Sequence, residues 1–250
     1  MTPRLLWYNK LLDATVTASG TYLGYDVTSV LDMRNYTFWK ANAAGTNFVK
    51  GAFSGATSIS EVALCGHNLS SVGCVVSVEH SPDNSTWTEA ATVTPTHNNA
   101  IMFSFTAVSK QYWRIKIVNA SGEPYIGVLY FGTAIAFTYP PNGPLSNYEE
   151  GIEAENFVSK TGNLLGVIYR YNPVSFNHTF QDVDKTWAST NWNPFWHNHA
   201  KFLKPFFYAV DLTNAADVFF CRMKLSYVGS LPYSNASYYD TLTVDAEGSR

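Results

Sequence analysis

The stretch KQYWRIKIVNA, residues 110–120, alternates without a break, with Tyr112, Arg114 and Lys116 on one side and Trp113, Ile115 and Ile117 on the other. A period of two belongs to a strand with one buried face, so the stretch predicts a strand with Trp113, Ile115 and Ile117 turned inward. The other apolar runs of the first half, SISEVALCGHNL, GCVVSVEHS and AIMFSFTAV, are short, β-branched or aromatic, and bounded by turn formers. That spacing predicts a β-sandwich rather than a helical or α/β domain. Ser81-Pro82-Asp83-Asn84-Ser85 can close a turn, because Pro presets φ and Asp and Asn bond their own backbone. Residues 75–80 and 87–93 therefore read as a hairpin, with Trp87 expected in the core.

A chain of 250 residues that is 46% hydrophobic and 16% aromatic can bury one large core or two ordinary ones. Its charged fraction is 14%, against roughly a quarter in an average soluble protein. The surface is therefore expected to be rich in Ser, Thr, Asn and Tyr. The net charge of −3 comes without basic blocks, which argues against specific nucleic-acid binding. No apolar run reaches the length of a signal peptide or a membrane span, so the expectation is a chain made in a cytoplasm, without membrane insertion. Cys65, Cys74 and Cys221 are odd in number and sit among apolar residues, which predicts buried free thiols.

TYPPNGPLSNYEEG, residues 138–151, carries Pro140, Pro141, Asn142-Gly143 and Pro144 and cannot continue any element. A linker over 138–150 then separates a domain of residues 1–137 from one of 151–250. Residues 1–137 hold eight acidic and eight basic side chains, whereas 138–250 hold eleven and eight and so carry the whole net charge.

The ordered set LDMRNYTFWKA (31–41), ISEVALCGHNLSSVG (59–73), VSVEHSPDNSTW (76–87), KQYWRIKIVNASG (110–122) and YIGVLYFG (125–132) resembles the galactose-binding jelly roll, in its discoidin-type version. The resemblance implies a sandwich whose loops at one end stack aromatic rings on a sugar and bond its hydroxyls. The loop residues available for carbohydrate binding are Tyr22, Tyr25, Arg34, Tyr36, His67, Asn68, His97 and Asn98. The terminal cysteine pair of the extracellular discoidin pattern is missing.

In the second half FNHTFQDV (176–183) reads as a strand and WNPFWHNHAKFLK (192–204) as a short helix, with Asn193 as N-cap and Pro194 in the first helical position. Phe195, Trp196, His199, Phe202 and Leu203 then form one apolar stripe. KPFFYAVDL, DVFFCRMKLSYV and SYYDTLTVDAEG follow as strands. This order resembles the distal and minor tail proteins of long-tailed bacteriophages, which implies a small β-sandwich with a flanking helix, assembled into rings on the tail axis. The overall expectation is thus an all-β chain with one or two short helices. The aromatic residues Phe206, Phe207, Tyr208, Tyr238 and Tyr239 exceed what one core of this size should bury and are placed at the oligomer interface.

His178, His197 and His199 invite a metal site, but residues two apart on a helix face apart, so no metal is expected. Glu149, Glu150, Glu153 and Glu155 read as a solvated acidic edge. No nucleophile elbow, zinc helix or phosphate loop is present, so no catalytic residue, no cofactor and no enzyme activity are expected. The leading expectation is a structural protein of a bacteriophage tail tip or baseplate, localised to the virion. It would form a homo-oligomeric ring with other tail proteins as partners and display the jelly roll toward host-surface glycan. The alternative is a carbohydrate-binding module with an accessory β-domain.

Overall fold

The alternation of residues 110–120 is realised inside a 19-residue strand whose Trp113, Ile115 and Ile117 are all fully buried. The structure, a computed structural model, describes residues 2–142, 149–213, 217–225, 231–232 and 236–249. The chain is mostly β, as expected, and divides into two units. One comprises the residues up to Thr138 together with Phe206–Phe220, and the other comprises Tyr139–Pro205 and Cys221–Ser249.

The strands of the first half are β1 (Arg4–Leu6), β2 (Thr15–Ala18), β3 (Trp39–Lys40), β4 (Gly45–His67), β5 (Val75–Ser81), β6 (Thr88–Val93), β7 (Ile101–Asn119), β8 (Tyr125–Gly132) and β9 (Ile135–Ala136). Those of the second half are β10 (Glu149–Glu150), β11 (Glu153–Val158), β12 (Leu164–Tyr171), β13 (Val174–Asp184), β14 (Phe206–Ala209), β15 (Val218–Met223) and β16 (Tyr238–Ser249).

In the first unit the strands run β3-β8-β4-β7-β5-β6, with β2 added to β4. The β4–β7 register breaks between Ala52 and Thr57 and again between Ile59 and Glu61. Such irregularities bend long strands, and the sheet closes over one core. Both halves of β4 (Val49, Phe53; Val62, Leu64) and of β7 (Phe103; Trp113, Ile115) enter that core. The reverse face of β4 and β8 is buried as well, where Ala63, Cys65, Val128 and Tyr130 pack with Leu6, Phe207, Ala209, Val218 and Phe220. β14 reaches that place by pairing antiparallel with β1, Leu5 opposite Tyr208. The units therefore differ from a partition at 1–137 and 151–250, because Phe206–Phe220 packs with the first half. Residues 143–148 of the expected linker lie outside the described residues.

The same packing corrects part of the expected oligomer interface, since Phe206, Phe207 and Tyr208 are fully buried. Tyr238 is exposed and Tyr239 half-buried. Glu61, also fully buried, is held by the Arg4 guanidinium at 2.8 Å, by the Ala134 N–H at 2.8 Å and by the Ser60 hydroxyl. A buried carboxylate needs such partners, and these tie β1 and the end of β8 to β4.

The hairpin β5–β6 forms as expected, with His80 opposite Thr88. Asp83 closes its turn by accepting from the Ser85 and Thr86 N–H groups at 2.9 and 2.8 Å, which holds its carboxyl below the usual range. Trp87 departs from expectation: it is half-buried on the outer side of the sheet, with the Arg114 guanidinium 4.0 Å from its ring centroid. Arg114 also binds the Glu79 carboxylate, so the ring is held by a cation instead of by the core.

In the second unit β10, β13 and β16 form an antiparallel sheet, with Phe180 opposite Leu242 and His178 opposite Val244. Phe176, His178 and Phe180 alternate onto its buried face. The helical run starts earlier than expected. Asp184, not Asn193, is its N-cap, accepting from the Trp187 N–H at 2.8 Å. A π turn at Ala188–Trp192 precedes the α-helix Asn193–Asn198, so Pro194 lies past the start of the run. The helix stops at His199, and a 3-10 turn, Ala200–Phe202, ends on Leu203 in the left-handed region at φ 56°. Phe202 is consequently turned outward instead of continuing the apolar stripe. Among the described residues, β11 and β12 pair only with one another.

All three cysteines are buried and free, as expected. Burial pushes the Cys74 thiol up to about 11 and raises those of Cys65 and Cys221 further.

Candidate functional site

The loop from β2 to β3 carries Tyr22 and Tyr25, and its course is set locally. Asp26 caps the 3-10 helix Val27–Leu31 by accepting from the Thr28 N–H at 2.8 Å. Asp32 then accepts from the Arg34 N–H at 2.9 Å and the Thr37 hydroxyl at 2.7 Å, which fixes the bend before β3. β3 is only two residues long, but it places Lys40 opposite Tyr125 of β8.

These elements build a row of rings. Tyr22 meets Tyr25 edge-on at 5.9 Å, Tyr25 stacks on Phe38 at 4.9 Å with 17° between the planes, and Phe38 meets Tyr125 at 4.6 Å. Beside them lies a cavity of about 230 Å³ lined by Tyr25, Phe38, Lys40, Val72, Glu123 and Tyr125, with Asn68 at its wall. The Lys40 ammonium is paired with the Glu123 carboxylate and lies 4.4 Å from the Tyr22 ring centroid. Its pKa is raised, first of all by the bond to Glu123. The pocket thus offers aromatic faces with one cation and one carboxylate at the edge.

Of the residues named from the sequence, Tyr25 and Asn68 line this pocket and Tyr22 stands next to it. Asn68 is a wall fastener: its amide donates to the Glu123 carbonyl at 3.1 Å and its oxygen accepts from the Tyr125 N–H at 2.8 Å. Arg34 and Tyr36 are exposed on the loop held by Asp32 but are not among the lining residues. His67 is buried, contrary to a loop position, because β4 runs on to include it. Its Nδ1 accepts from the Leu69 N–H at 3.3 Å, so its Nε2–H donates to the Asn99 carbonyl at 2.8 Å. Burial lowers its pKa to about 4. Asn98 accepts from the Ser70 N–H at 3.0 Å and donates to the Ser71 hydroxyl at 2.7 Å, and His97 accepts from the Asn99 N–H. His67, His97 and Asn98 are thus engaged in fastening loops.

The lining residues that sequence reasoning missed are Phe38, Lys40, Val72, Glu123 and Tyr125. The signal for two of them was the aromatic run Tyr36-Thr37-Phe38-Trp39 and the position of Tyr125 at the head of β8, next to a turn.

Gly66 makes this arrangement possible. Its φ is +65°, and a Cβ there would stand 2.6 Å from the Asn35 carbonyl oxygen. Gly66→Ala is expected to cost about 2 kcal/mol, from backbone strain plus the collision. Denaturant unfolding at neutral pH measures it, and an unchanged midpoint would contradict this reading of the loop.

His197 is exposed while His178 and His199 are buried, the latter with its Nε2 2.8 Å from the Pro205 carbonyl.

No protein-family model matches the chain, and no curated protein matches it. Solved structures with a similar fold include a pectin-binding carbohydrate-binding module, at 20% identity over 48% of this chain and 89% of that one, with a TM-score of 0.41. A chitosan-binding module from a chitosanase/glucanase of Paenibacillus sp. IK-5 is 19% identical over 50% of this chain and 98% of that one, at 0.42. A Clostridium perfringens module, CpGH89CBM32-5, in complex with GalNAc-beta-1,3-galactose, is 10% identical over 52% of this chain and 99% of that one, at 0.44.

Proposed function

We propose that the first unit is a carbohydrate-binding module and that a sugar ring occupies the pocket beside Tyr25, Phe38 and Tyr125. The observation that carries this reading is the pairing of a row of aromatic rings with the Lys40–Glu123 ion pair around one small cavity. A pyranose has apolar C–H faces and a rim of hydroxyls, so it needs an aromatic platform and a few charged or planar polar partners. At about 230 Å³ the cavity is smaller than the roughly 300–1,000 Å³ that drug-sized ligands occupy, which favours a single ring over an extended chain. Binding at such an open site is wet and weak, so several copies on one assembly would be needed for firm attachment.

A glycan array probed with the full chain, and with Tyr125→Ala as control, tests the reading. Selective signals that the control loses are expected. An array without signal, repeated with the protein clustered on beads to restore multivalency, would remove it.

A second reading is a self-associating, ring-forming protein, which the exposed apolar hairpin β11–β12 of the second unit supports; a place at a virion's tail tip with other tail proteins as partners rests on the resemblance of the sequence alone. Both readings are compatible in one chain, with the second unit assembling and the first displaying the pocket. Electron micrographs of the purified protein test the ring.

A further inference from the structure

The hairpin β11–β12 has no interior of its own. Along the register from Ala154 to Phe157, Val167 and Tyr169 share one face with Asn156 and Ala154, while Ile168 and Phe157 occupy the other. Leu164, Leu165, Val167, Ile168, Tyr169 and Tyr171 are between 53% and 71% exposed. An isolated two-stranded ribbon is marginal in water, and one apolar on both faces lacks even a solvated side. Ile152, Phe157 and Val158 add to this apolar surface at 75%, 42% and 62% exposed.

The charges around the ribbon state what kind of surface fits it. Glu149 and Glu150 of the neighbouring β10 and Glu153 and Glu155 of β11 are exposed, Glu155 bonded by the Arg170 guanidinium of β12 at 2.9 Å, and Lys160 and Arg170 are the only basic residues between 149 and 171. The same unit carries an exposed counterpart of opposite sign at the turn after the helix. There Phe202 is 61% exposed, with the Lys201 and Lys204 ammonium groups 5.0 and 6.0 Å from its ring centroid. Residues 197–204 include no acidic side chain. Leu203 in the left-handed region holds Phe202 and the two lysines outward.

We propose that the hairpin β11–β12 docks on the Lys201-Phe202-Leu203-Lys204 turn of a second copy of this chain. Hairpin and turn are different patches of one surface, so the contact can be made in one direction, which when repeated yields a closed ring or a filament, or reciprocally between two copies, which closes a two-fold dimer. The inference is independent of the sugar pocket.

The test is the mass of the full chain by light scattering and sedimentation across its attainable concentration range. The wild type is expected to associate. Lys201→Glu with Lys204→Glu should weaken association by about tenfold or more, since both substitutions put like charges together. These lysines are exposed, so folding should be unaffected, and circular dichroism checks that. Mixing that variant with Glu149→Lys/Glu153→Lys chains should restore association in the mixture, which a merely destabilised variant would not show. A wild type that stays monomeric would overturn both this inference and the ring. Association unchanged in the lysine variant, or not restored by the swap, would overturn the inference alone. Monomers that instead float with anionic or neutral phospholipid vesicles would also overturn it, by naming a lipid surface as the occupant.

Discussion

Acidification from pH 7 to pH 4.5 is expected to cost this protein several kcal/mol of stability, with His67 and His199 as the main cause. Both are buried, and each has its pKa lowered to about 4, first by burial and against the opposing effect of a backbone carbonyl bond. The unfolded imidazole has its ordinary value of about 6.5. Between those values the unfolded chain binds a proton that the folded chain does not, so stability rises with pH. The contribution is fully present above about 6.5 and is lost as pH falls toward 4, on the order of 2–3 kcal/mol for each histidine. His80 shifts in the same direction, through burial and the nearby Lys110. Denaturant unfolding at both pH values measures the slope, with His67→Gln and His199→Gln as controls that should flatten it. Equal stability at the two pH values would contradict the burial of neutral imidazoles.

Trp113→Ala is expected to remove about 3–5 kcal/mol, a large share of the roughly 5–15 kcal/mol that a natural domain has. The ring is fully buried and meets His80 at 5.2 Å, Phe105 at 5.8 Å and Phe131 at 6.4 Å. Its indole N–H donates to the Lys110 carbonyl at 3.1 Å. Trp113→Phe keeps most of the volume and should cost distinctly less. Thermal and denaturant unfolding of the full chain measure both, and a loss below about 1 kcal/mol in the alanine variant would contradict Trp113 as a centre of the core.

Trp113 also shows why part of the fold was legible in the sequence. Strict alternation in residues 110–117 has only one solution when one face is buried, and the structure adopts it. Trp87 was misread because an aromatic beside a turn gives no face. β6 begins one residue later, and the outer side of the sheet supplies Arg114 for the ring. The third layer over β8 had a signal that went unused. Ile126-Gly-Val-Leu-Tyr-Phe131 is apolar at successive positions instead of alternating, as expected of a strand buried on both faces. The residues that cover its second face, Phe207, Ala209, Val218 and Phe220, lie some eighty residues downstream, beyond the reach of any local pattern.

The pocket divides in the same manner. Tyr22, Tyr25 and Asn68 could be named because they fall in loops between recognisable strands. Lys40 and Tyr125 meet only through the two-residue pairing of β3 with β8, and Glu123 joins through its bond to Lys40. The loop position expected for His67 is instead the end of β4, because Gly66 serves a close backbone approach and the strand continues through it.

The central claim, a sugar ring at the Tyr25–Phe38–Tyr125 pocket, is tested most directly by isothermal titration of the best array glycan into the full chain and into Tyr25→Ala and Tyr125→Ala. Loss of an aromatic contact predicts affinity lower by about tenfold in each variant, with unfolding midpoints that stay close to the wild type. Tyr36→Ala, on the neighbouring loop but not lining the pocket, should bind as the wild type does. Undiminished affinity in the Tyr25 and Tyr125 variants, or a loss confined to Tyr36→Ala, would contradict the account.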